Sequence, residues 1–418
     1  MRVLEGKAAI EAAKNLTVRG SVTDPKVERT VRRIVTDVRE KGMPALRKYA
    51  KTLDGLKEDE SLRVPEEELR DALSSASPDF IKAAQKAAVN IRRFAEWQMP
   101  KSWMRTMQPG IRVGQKVVPI WSVGCYVPGG RHPLPSSLLM TVLPAQVAGV
   151  PYIWIASPNP SRETLATAYL IGARKFYRMG GAQAIAAFAY GVEPSKTDAR
   201  ILPVNKVVGP GNAYVTAAKK LVSFDCAIDM LAGPTEAVVV AHEGNASFHA
   251  ADLVAQAEHD PRALVVFISS SRRLAQDVAR ECERMAKENP VARESLKRNA
   301  VALIIPNRLQ AIGIANALAP EHMTVPAGEK LPIEAGSVFV GQYSPQSLGD
   351  YASGPNHTLP TGGAARYRGG LSVLDFVKII TVQQVTKAGL KKIAPVVTTL
   401  AEAEGLKAHA ESVRVRLR

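Results

Sequence analysis

The chain has 418 residues, of which 46% are hydrophobic and 22% charged, a composition typical of globular proteins and unlike that of fibrous or low-complexity ones. No stretch approaches the roughly 18 to 20 uncharged apolar residues that span a bilayer, and the N-terminus lacks the apolar core of a signal peptide, so we expect a cytoplasmic protein with no membrane partner. Lys and Arg outnumber Asp and Glu by 55 to 39, a net charge of +16. Because these basic residues are scattered and not interleaved with aromatic ones, we expect no nucleic-acid partner.

The first 120 residues are predicted to be mainly helical, in a chain long enough for two or three domains. In 26–54, apolar residues recur at steps of three and four with charges between them, which indicates an amphipathic helical hairpin that bends at Gly42 and Pro44. Residues 64–97 repeat this pattern.

From about residue 117 the pattern changes, because short β-rich runs alternate with Ala-rich or charged helical segments. Alternation of strand and helix indicates parallel sheets, and we expect two α/β units. The runs are 117–120, 152–156, 201–208, 237–241, 263–268 and 301–305.

The tail from about residue 372 is predicted to be helical over 384–394 and 397–409. It ends in the alternating run 412–418, SVRVRLR. Such a run suits an edge strand or an arm laid on a partner, and a frayed, solvated end is an equal alternative.

Segment 248–261 is predicted to be one helix, capped by Asn245 or Ser247. Gln256 and His259 are three residues apart and therefore share a face. By spacing alone, a structural cap is the more usual role of such a histidine than a metal ligand.

Two later segments carry further ionisable groups. Glu321 and His322 follow a predicted helix and could form an acid–base pair, although the pattern alone favours a solvated loop. The aperiodic stretch 349–361 contains Asp350 and His357, and it either packs on itself or presents polar groups to a ligand.

Two Gly-rich turns, 180–184 and 209–214, each precede an Ala-rich helical stretch. Glycines at a strand-to-helix turn let backbone N–H groups approach a phosphate, with the helix N-terminus favouring negative charge. Neither turn is GxGxxG, so a simple tight turn remains the alternative.

Together these segments resemble the histidinol dehydrogenase family along nearly the whole chain and in the family's order. Several of the matching stretches are long and chemically unusual, so the sequence is identified as a member of that family. The stretches are 126–136, 180–190, 209–215, 228–236, 252–261, 318–323, 349–361 and 400–409.

The resemblance implies an α/β fold of two Rossmann-like (nucleotide-fold-like) domains, the smaller inserted in the larger, with helical N- and C-terminal arms exchanged in a homodimer. The implied boundaries are 1–20 for the N-terminal arm, 21–124 with 236–371 for the larger domain, 125–235 for the inserted domain and 372–418 for the C-terminal dimerisation tail.

The resemblance also implies a site built around one Zn²⁺ per subunit, with NAD as the second cofactor. The zinc ligands and His322 would also contact the substrate. The implied residues are Gln256, His259, Asp350 and His409 of the partner subunit as zinc ligands, Glu321 and His322 as the acid–base pair, Thr235, His357 and Glu404 of the partner subunit as substrate contacts, and Tyr126, Gln183 and Asn212 as NAD contacts.

The implied reaction is the four-electron oxidation of L-histidinol to L-histidine through a bound aldehyde, the last steps of histidine biosynthesis. His322 would take the hydroxyl proton, and Glu321 would activate water on the aldehyde. The remaining histidines, His132, His242 and His249, are expected to be surface or packing residues.

Three features depart from the family's usual sequence. Thr235 stands where serine is usual, 191–206 looks longer than usual, and 223–227 replaces a more Gly-rich turn. The alternative is therefore a paralogous zinc and NAD dehydrogenase of another small polar alcohol, such as a sulfonated diol. Glu404 argues against this alternative, because a carboxylate suits an ammonium group and repels a sulfonate.

Overall fold

The computed structural model describes residues 1–18, 24–129, 133–330 and 333–418. A strand and five helices make up most of its first hundred residues. They are β1 (Arg2–Glu5), α1 (Gly6–Thr17), α2 (Pro25–Lys41), α3 (Met43–Asp54), α4 (Glu66–Ser75) and α5 (Pro78–Gln98).

The predicted hairpin is confirmed by α2 and α3. The Asp24 side chain caps α2 by accepting a hydrogen bond from the Lys26 N–H, and Pro25 at the first helical position has the backbone angle that a helix requires. The bend is at Gly42, whose φ of 61° favours glycine. The second predicted stretch is two helices, because Ser77 caps a new helix that starts at Pro78.

Two strands and a first parallel unit follow. They are β2 (Trp103–Gln108), β3 (Ile111–Pro119), β4 (Ser122–Tyr126), α6 (Pro135–Ala148), β5 (Tyr152–Ala156), α7 (Arg162–Leu170), β6 (Phe176–Tyr177), α8 (Gly181–Tyr190), β7 (Lys206–Val208), α9 (Ala213–Val222) and β8 (Ala227–Ile228). Strands β4 to β8 form a five-stranded sheet, the first sheet, in the order β6-β5-β4-β7-β8, and every adjacent pair is parallel.

The second parallel unit completes the two predicted α/β units. It comprises β9 (Glu236–Val240), α10 (Ala246–Ala257), β10 (Leu264–Ser269), α11 (Arg272–Met285), α12 (Pro290–Asn299), β11 (Ala300–Ile304), α13 (Arg308–Leu318), β12 (His322–Val325), β13 (Ser337–Val340) and α14 (Gln346–Tyr351). Strand β1 joins these strands in a six-stranded, parallel second sheet, in the order β1-β11-β10-β9-β12-β13.

The C-terminal part consists of β14 (Val377–Val385), α15 (Lys387–Ala403) and α16 (Lys407–Arg414). Strand β14 pairs antiparallel with β3, and β3 with β2, so the tail begins as a strand and not as the predicted helix. The alternating run at the terminus belongs to α16 and the turn after it, so the strand prediction for that run is wrong.

Both parallel sheets share one strand order. Numbered within its own unit, each has the order 3-2-1-4-5, with β1 added at one edge of the second. The order in which strands are added therefore reverses between β4 and β7 in the first sheet and between β9 and β12 in the second. Ligands of such sheets bind outside the carboxyl ends of the strands at this reversal.

Packing of the N-terminal helices bears on the domain boundaries. Residues of α2 and α3 share one buried apolar cluster with α8 and α9, and residues of α4 share another with α6 and α7. These contacts favour grouping residues 25–98 with the first sheet, whereas the boundaries 21–124 with 236–371 and 125–235 stay a prediction. No helix among the described residues has the length and apolarity needed to cross a membrane.

Candidate active site

Glu321 and His322 lie at the amino end of β12, an internal strand of the second sheet between β9 and β13. Ala319 ends α13 in the left-handed conformation (φ 44°, ψ 60°), which turns the chain into the strand. His322 is aligned with Ala237 of β9 on one side and with Ser337 of β13 on the other, so neighbouring strands enclose Glu321 and His322. Glu321 is 9% exposed and His322 3%, so the solvated-loop interpretation is wrong.

The Asp350 carboxylate is the centre of the site. Its Oδ2 accepts a hydrogen bond of 3.0 Å from Gln256 Nε2 at the end of α10, and its Oδ1 lies 3.1 Å from His322 Nε2. His357 Nδ1 donates to the Asp350 carbonyl oxygen at 2.7 Å. Three side chains, from three separate segments of the sequence, thus converge on one residue of α14.

His357 links this cluster to the first sheet. Its Nε2 lies 3.1 Å from Ser137 Oγ in the first turn of α6. Because Nδ1 faces a carbonyl acceptor, the neutral ring accepts the serine proton at Nε2. Burial lowers the pKa of His357, which favours this neutral form. Sequence reasoning missed Ser137, since a hydroxyl in an apolar helix gives no recognisable pattern.

The ionisable groups have shifted pKa values. Burial raises the pKa of Glu321 to about 7. Burial alone lowers the pKa of His322, but its hydrogen bond to Asp350 and the negative charge of Glu321 outweigh this effect and raise it. Burial thus brings the pKa of Glu321 close to neutral pH, and His322, 3.8 Å away between Nδ1 and Oε2, holds its proton more tightly than a free imidazole.

Asp252, one turn before Gln256 on α10, is a second buried carboxylate. Its Oδ1 accepts a hydrogen bond of 3.1 Å from the backbone N–H of Gln346, the first residue of α14. Burial raises its pKa to about 6. The contact of Asp252 with the start of α14 indicates that it positions Asp350.

The donor set around Asp350 fits a zinc ion. Imidazole nitrogen and carboxylate oxygen are ligands that zinc accepts, while the Gln256 atom that lies 3.0 Å from Asp350 Oδ2 is the amide nitrogen, a hydrogen-bond donor. His259, in the turn after α10, is exposed, and its charge acts on the pKa of His357. In the described parts of the chain, no group of three or more His, Cys, Asp or Glu side chains could hold a metal. The predicted zinc ligands from this chain include only two residues of these types, His259 and Asp350, and Gln256 is the third ligand.

The remaining predicted substrate contacts lie in different places. Thr235 is half-buried directly before β9, next to Glu236, whose backbone N–H donates to Glu321 Oε2 at 3.2 Å. Glu404 and His409 are exposed at the end of α15 and in α16. Within the described ranges, neither side chain has a hydrogen bond or ion pair to the Asp350 cluster, so one chain alone does not assemble all predicted ligands.

The three predicted NAD contacts line one cavity. Its volume is about 610 Å³, and it opens beyond the carboxyl ends of β4 and β7, at the reversal of the first sheet. Tyr126 ends β4, Gln183 lies in the first turn of α8, and Asn212 caps α9 by accepting from the Tyr214 and Val215 N–H groups.

Hydrogen bonding around Gln183 indicates room for a ligand. Its Nε2 donates to Asp54 Oδ2 at 2.9 Å, and the same carboxylate oxygen accepts from the Gly180 N–H at 2.8 Å. Its Oε1 is buried and has no partner among the described residues. An unpartnered buried acceptor in a cavity at two helix N-termini suits a bound polar cofactor.

The sequence model of the histidinol dehydrogenase family matches residues 17–417. The chain belongs to this family. It is therefore an oxidoreductase, as the names of its relatives state. Histidinol dehydrogenase of Aquifex aeolicus (strain VF5) is 42% identical over 416 residues, which cover 97% of this chain and 96% of the relative. That of Methanothermobacter thermautotrophicus is 44% identical, covering 92% of each chain.

The fold agrees with this assignment. The crystal structure of histidinol dehydrogenase from Elizabethkingia anophelis superposes with a TM-score of 0.92 at 36% identity, covering 100% of this chain and 98% of that one. The mixed α/β architecture with parallel sheets is thus confirmed. Of the seven histidines, His242 and His249 take no part in the Asp350 cluster, and His132 lies outside the described residues.

Proposed function

We propose that the chain catalyses the zinc-dependent, NAD-linked oxidation of L-histidinol to L-histidine through a bound aldehyde, the last steps of histidine biosynthesis. The observation that carries this proposal is the convergence of Gln256 and His322 on the Asp350 carboxylate, with Glu321 beside His322. Membership of the family supports the choice of substrate.

Zinc would be held by Gln256, His259 and Asp350 together with His409 of the partner subunit. The ligand types, one amide oxygen, two imidazoles and one carboxylate, are those that zinc accepts. When bound, zinc would polarise the alcohol oxygen and NAD would accept one hydride in each of two steps.

In the first step, His322 removes the hydroxyl proton of the substrate. His322 Nε2 lies 3.1 Å from Asp350 Oδ1, a carboxylate oxygen that can only accept, so the neutral ring carries its proton on Nε2. Nδ1, which has no hydrogen-bond partner among the described residues, is then the free base. The alcohol loses one proton and one hydride, and the product of this step is the aldehyde.

In the second step, Glu321 removes a proton from water as the water oxygen bonds to the aldehyde carbon. The resulting hydrate loses a second hydride and becomes the carboxylate. Burial, which holds the pKa of Glu321 near 7, keeps enough basicity for this proton transfer. The whole reaction removes four electrons, so two NADH form per substrate.

The second subunit completes the site in this proposal. Glu404 and His409 lie on the α15–α16 arm, whose apolar side chains are exposed in the single chain: Val396 is 57% exposed and Leu400 60%. Exposed apolar patches of this kind mark protein interfaces. A homodimer that exchanges these arms would bring Glu404 to the substrate's ammonium group and His409 to the metal.

The proposal is tested by following NADH formation from L-histidinol. We expect two NADH per substrate, loss of activity on chelation, and recovery with added zinc. His322→Ala should lower kcat by about 10²- to 10⁴-fold, the usual contribution of a general base, while the dimer and its zinc content stay intact.

His242→Ala is the matched control, since this histidine lies at the opposite edge of the same sheet and should keep full activity. Absence of NADH with L-histidinol, in enzyme that contains zinc, would contradict the proposed substrate. NADH formation from a sulfonated diol in the same assay would identify the paralogous dehydrogenase instead.

A further inference from the structure

A second cavity lies at the carboxyl edge of the second sheet, where the proposed reaction has no role for it. Its volume is about 390 Å³, and it opens beyond the ends of β9, β12 and β13. Glu321 and His322 lie at the other end of β12, about 13 Å away for a four-residue strand. The polar lining of this cavity is His242, Glu243, His249, Arg308, Thr324 and Gln342.

The position of this cavity repeats that of the first one. Both sheets have the strand order 3-2-1-4-5, and the cavity lined by Tyr126 lies beyond β4 and β7, the strands on either side of the reversal. The corresponding strands of the second sheet are β9 and β12. The second cavity therefore lies where sheets of this topology bind nucleotides and other phosphate-bearing ligands.

This edge of the sheet carries one charge of each sign, on Arg308 and Glu243. Arg308 is the first residue of α13, is exposed at the cavity, and forms no ion pair or side-chain hydrogen bond within the described ranges. Helix α10 also begins at this edge, with Asn245 as its cap. A guanidinium beside two helix N-termini is a suitable environment for a phosphate group.

Hydrogen bonds to the backbone hold both histidines of the cavity, His242 and His249, in place. His242 Nδ1 accepts a hydrogen bond of 3.1 Å from the Ser270 N–H, so the neutral ring carries its proton on Nε2 and can donate it. His249 is 5% exposed, and its Nε2 donates to the Glu243 carbonyl oxygen at 3.3 Å.

The turn at Gly244 is fitted closely against His249. Its φ of 108° favours glycine, and a Cβ there would lie only 3.1 Å from His249 Nε2. The loop after β9 is thus preformed, with the Glu243 carboxylate exposed beside the cavity as an acceptor for hydroxyl groups.

We propose that this cavity binds a mononucleotide, with its phosphate on Arg308 and the start of α13 and its sugar hydroxyls toward Glu243. The volume of 390 Å³, against 610 Å³ for the proposed dinucleotide site, suits one nucleotide and not two. Val325, Pro326 and Ala327 supply an apolar wall for the base. Only the size comparison rests on the proposed NAD site.

The test is equilibrium dialysis of the full-length enzyme with radiolabelled AMP in the presence of saturating NAD. We expect one AMP per chain that NAD does not displace. Arg308→Ala should weaken this binding at least about tenfold, the effect of losing one charge-assisted phosphate contact. Arg273→Ala, which removes an exposed arginine from the first turn of α11, is the matched control and should bind AMP as the wild type does.

Three outcomes would overturn this proposal: complete displacement of AMP by NAD, equal binding by Arg308→Ala in a variant with an unchanged melting temperature, or competition by inorganic phosphate as strong as that by unlabelled AMP. The proposed function fails separately, if L-histidinol yields no NADH. AMP binding that depends on Arg308 would support the second cavity even then.

Discussion

The Glu321 carboxylate is held in a buried position where ionisation is costly. Burial, the largest effect, raises its pKa from 4.5 to about 7. A carboxyl group with a raised pKa in the folded state stabilises the protein below its unfolded pKa, and that stabilisation is lost as pH rises through the folded value. The window for Glu321 therefore runs from about pH 4.5 to about pH 7.

Glu321→Gln removes this pH dependence. Relative to the wild type, the variant should gain about 2 kcal/mol in the free energy of unfolding between pH 5.5 and pH 8.5, since about 1.5 pH units of the window lie above pH 5.5. Urea unfolding at a fixed protein concentration measures this difference. A constant difference between the two proteins at both pH values would show that Glu321 titrates near its ordinary pKa.

For single residues, the sequence showed which ionisable side chains are present but not what surrounds them in the fold. The adjacency of Glu321 and His322 indicated an acid–base pair, yet spacing alone favoured a solvated loop. Their burial depends on the pairing of β12 with β9 and β13, a long-range contact that no local pattern encodes. The same holds for Ser137, which meets His357 across 220 residues.

Helix α14 carries Asp350, and its start is fixed by the hydrogen bond from the Gln346 N–H to Asp252. Asp252→Ala removes the acceptor and should weaken zinc binding by about 10- to 100-fold, as is usual for groups that orient metal ligands. Competition with a chromophoric chelator measures this affinity. Asp252→Asn keeps an oxygen acceptor and should bind zinc within about threefold of the wild type. Equal zinc affinity in Asp252→Ala would rule out the positioning role.

The long segment 191–206 is anchored away from the candidate site. Asp198, with a 2% exposed side chain, pairs with Arg47 at 2.5 Å and accepts from the Leu62 N–H at 2.8 Å. This departure from the family's usual sequence therefore contacts the helical N-terminal region and not the Asp350 cluster, so it gives no support to a different substrate.

Asp198→Asn should lower the free energy of unfolding by about 2 to 3 kcal/mol, because it leaves the largely buried Arg47 charge without its partner. Arg200→Gln is the matched control in the same segment: its partner Glu193 is 75% exposed, and the change should be about 0.5 kcal/mol or less. Chemical denaturation compares the variants. Equal losses in both would show that the Arg47 pair does not anchor the segment.

Elements with strong local patterns were predicted well, and elements defined by distant pairing were not. The periodicity of α2 and α3 and the apolar runs of β5, β9, β10 and β11 were sufficient to predict these elements. Strand β1 was missed because only its pairing with β11 distinguishes it from the helical region that follows. Strand β14 was missed because eight of its nine residues are exposed, so its sequence lacks the buried face of an ordinary strand.

At the scale of the whole molecule, the exposed apolar residues of the C-terminal part require an explanation. Ile379 and Ile380 on β14 are 51% and 44% exposed, and the α15 residues described above add to the same part of the chain. Their burial in a second copy would supply an apolar interface. The sequence predicted the exchange through family resemblance alone, since Gln256 and His409 are about 150 residues apart.

Complementation between two inactive variants tests whether the site is shared. Gln256→Ala and His409→Ala should each be inactive, since each damages both sites of its own homodimer. When the two are unfolded together and refolded as an equal mixture, random pairing makes half of the dimers heterodimers. If His409 crosses the interface, one of the two sites in a heterodimer combines an intact Gln256 with an intact His409, and NADH formation should return to about a quarter of the wild-type value.

Gln256→Ala mixed with His259→Ala is the control, and it should stay inactive, because Gln256 and His259 of any one site come from the same chain. If His409 instead served the site of its own chain, every site in the first mixture would carry one lesion and no activity would return.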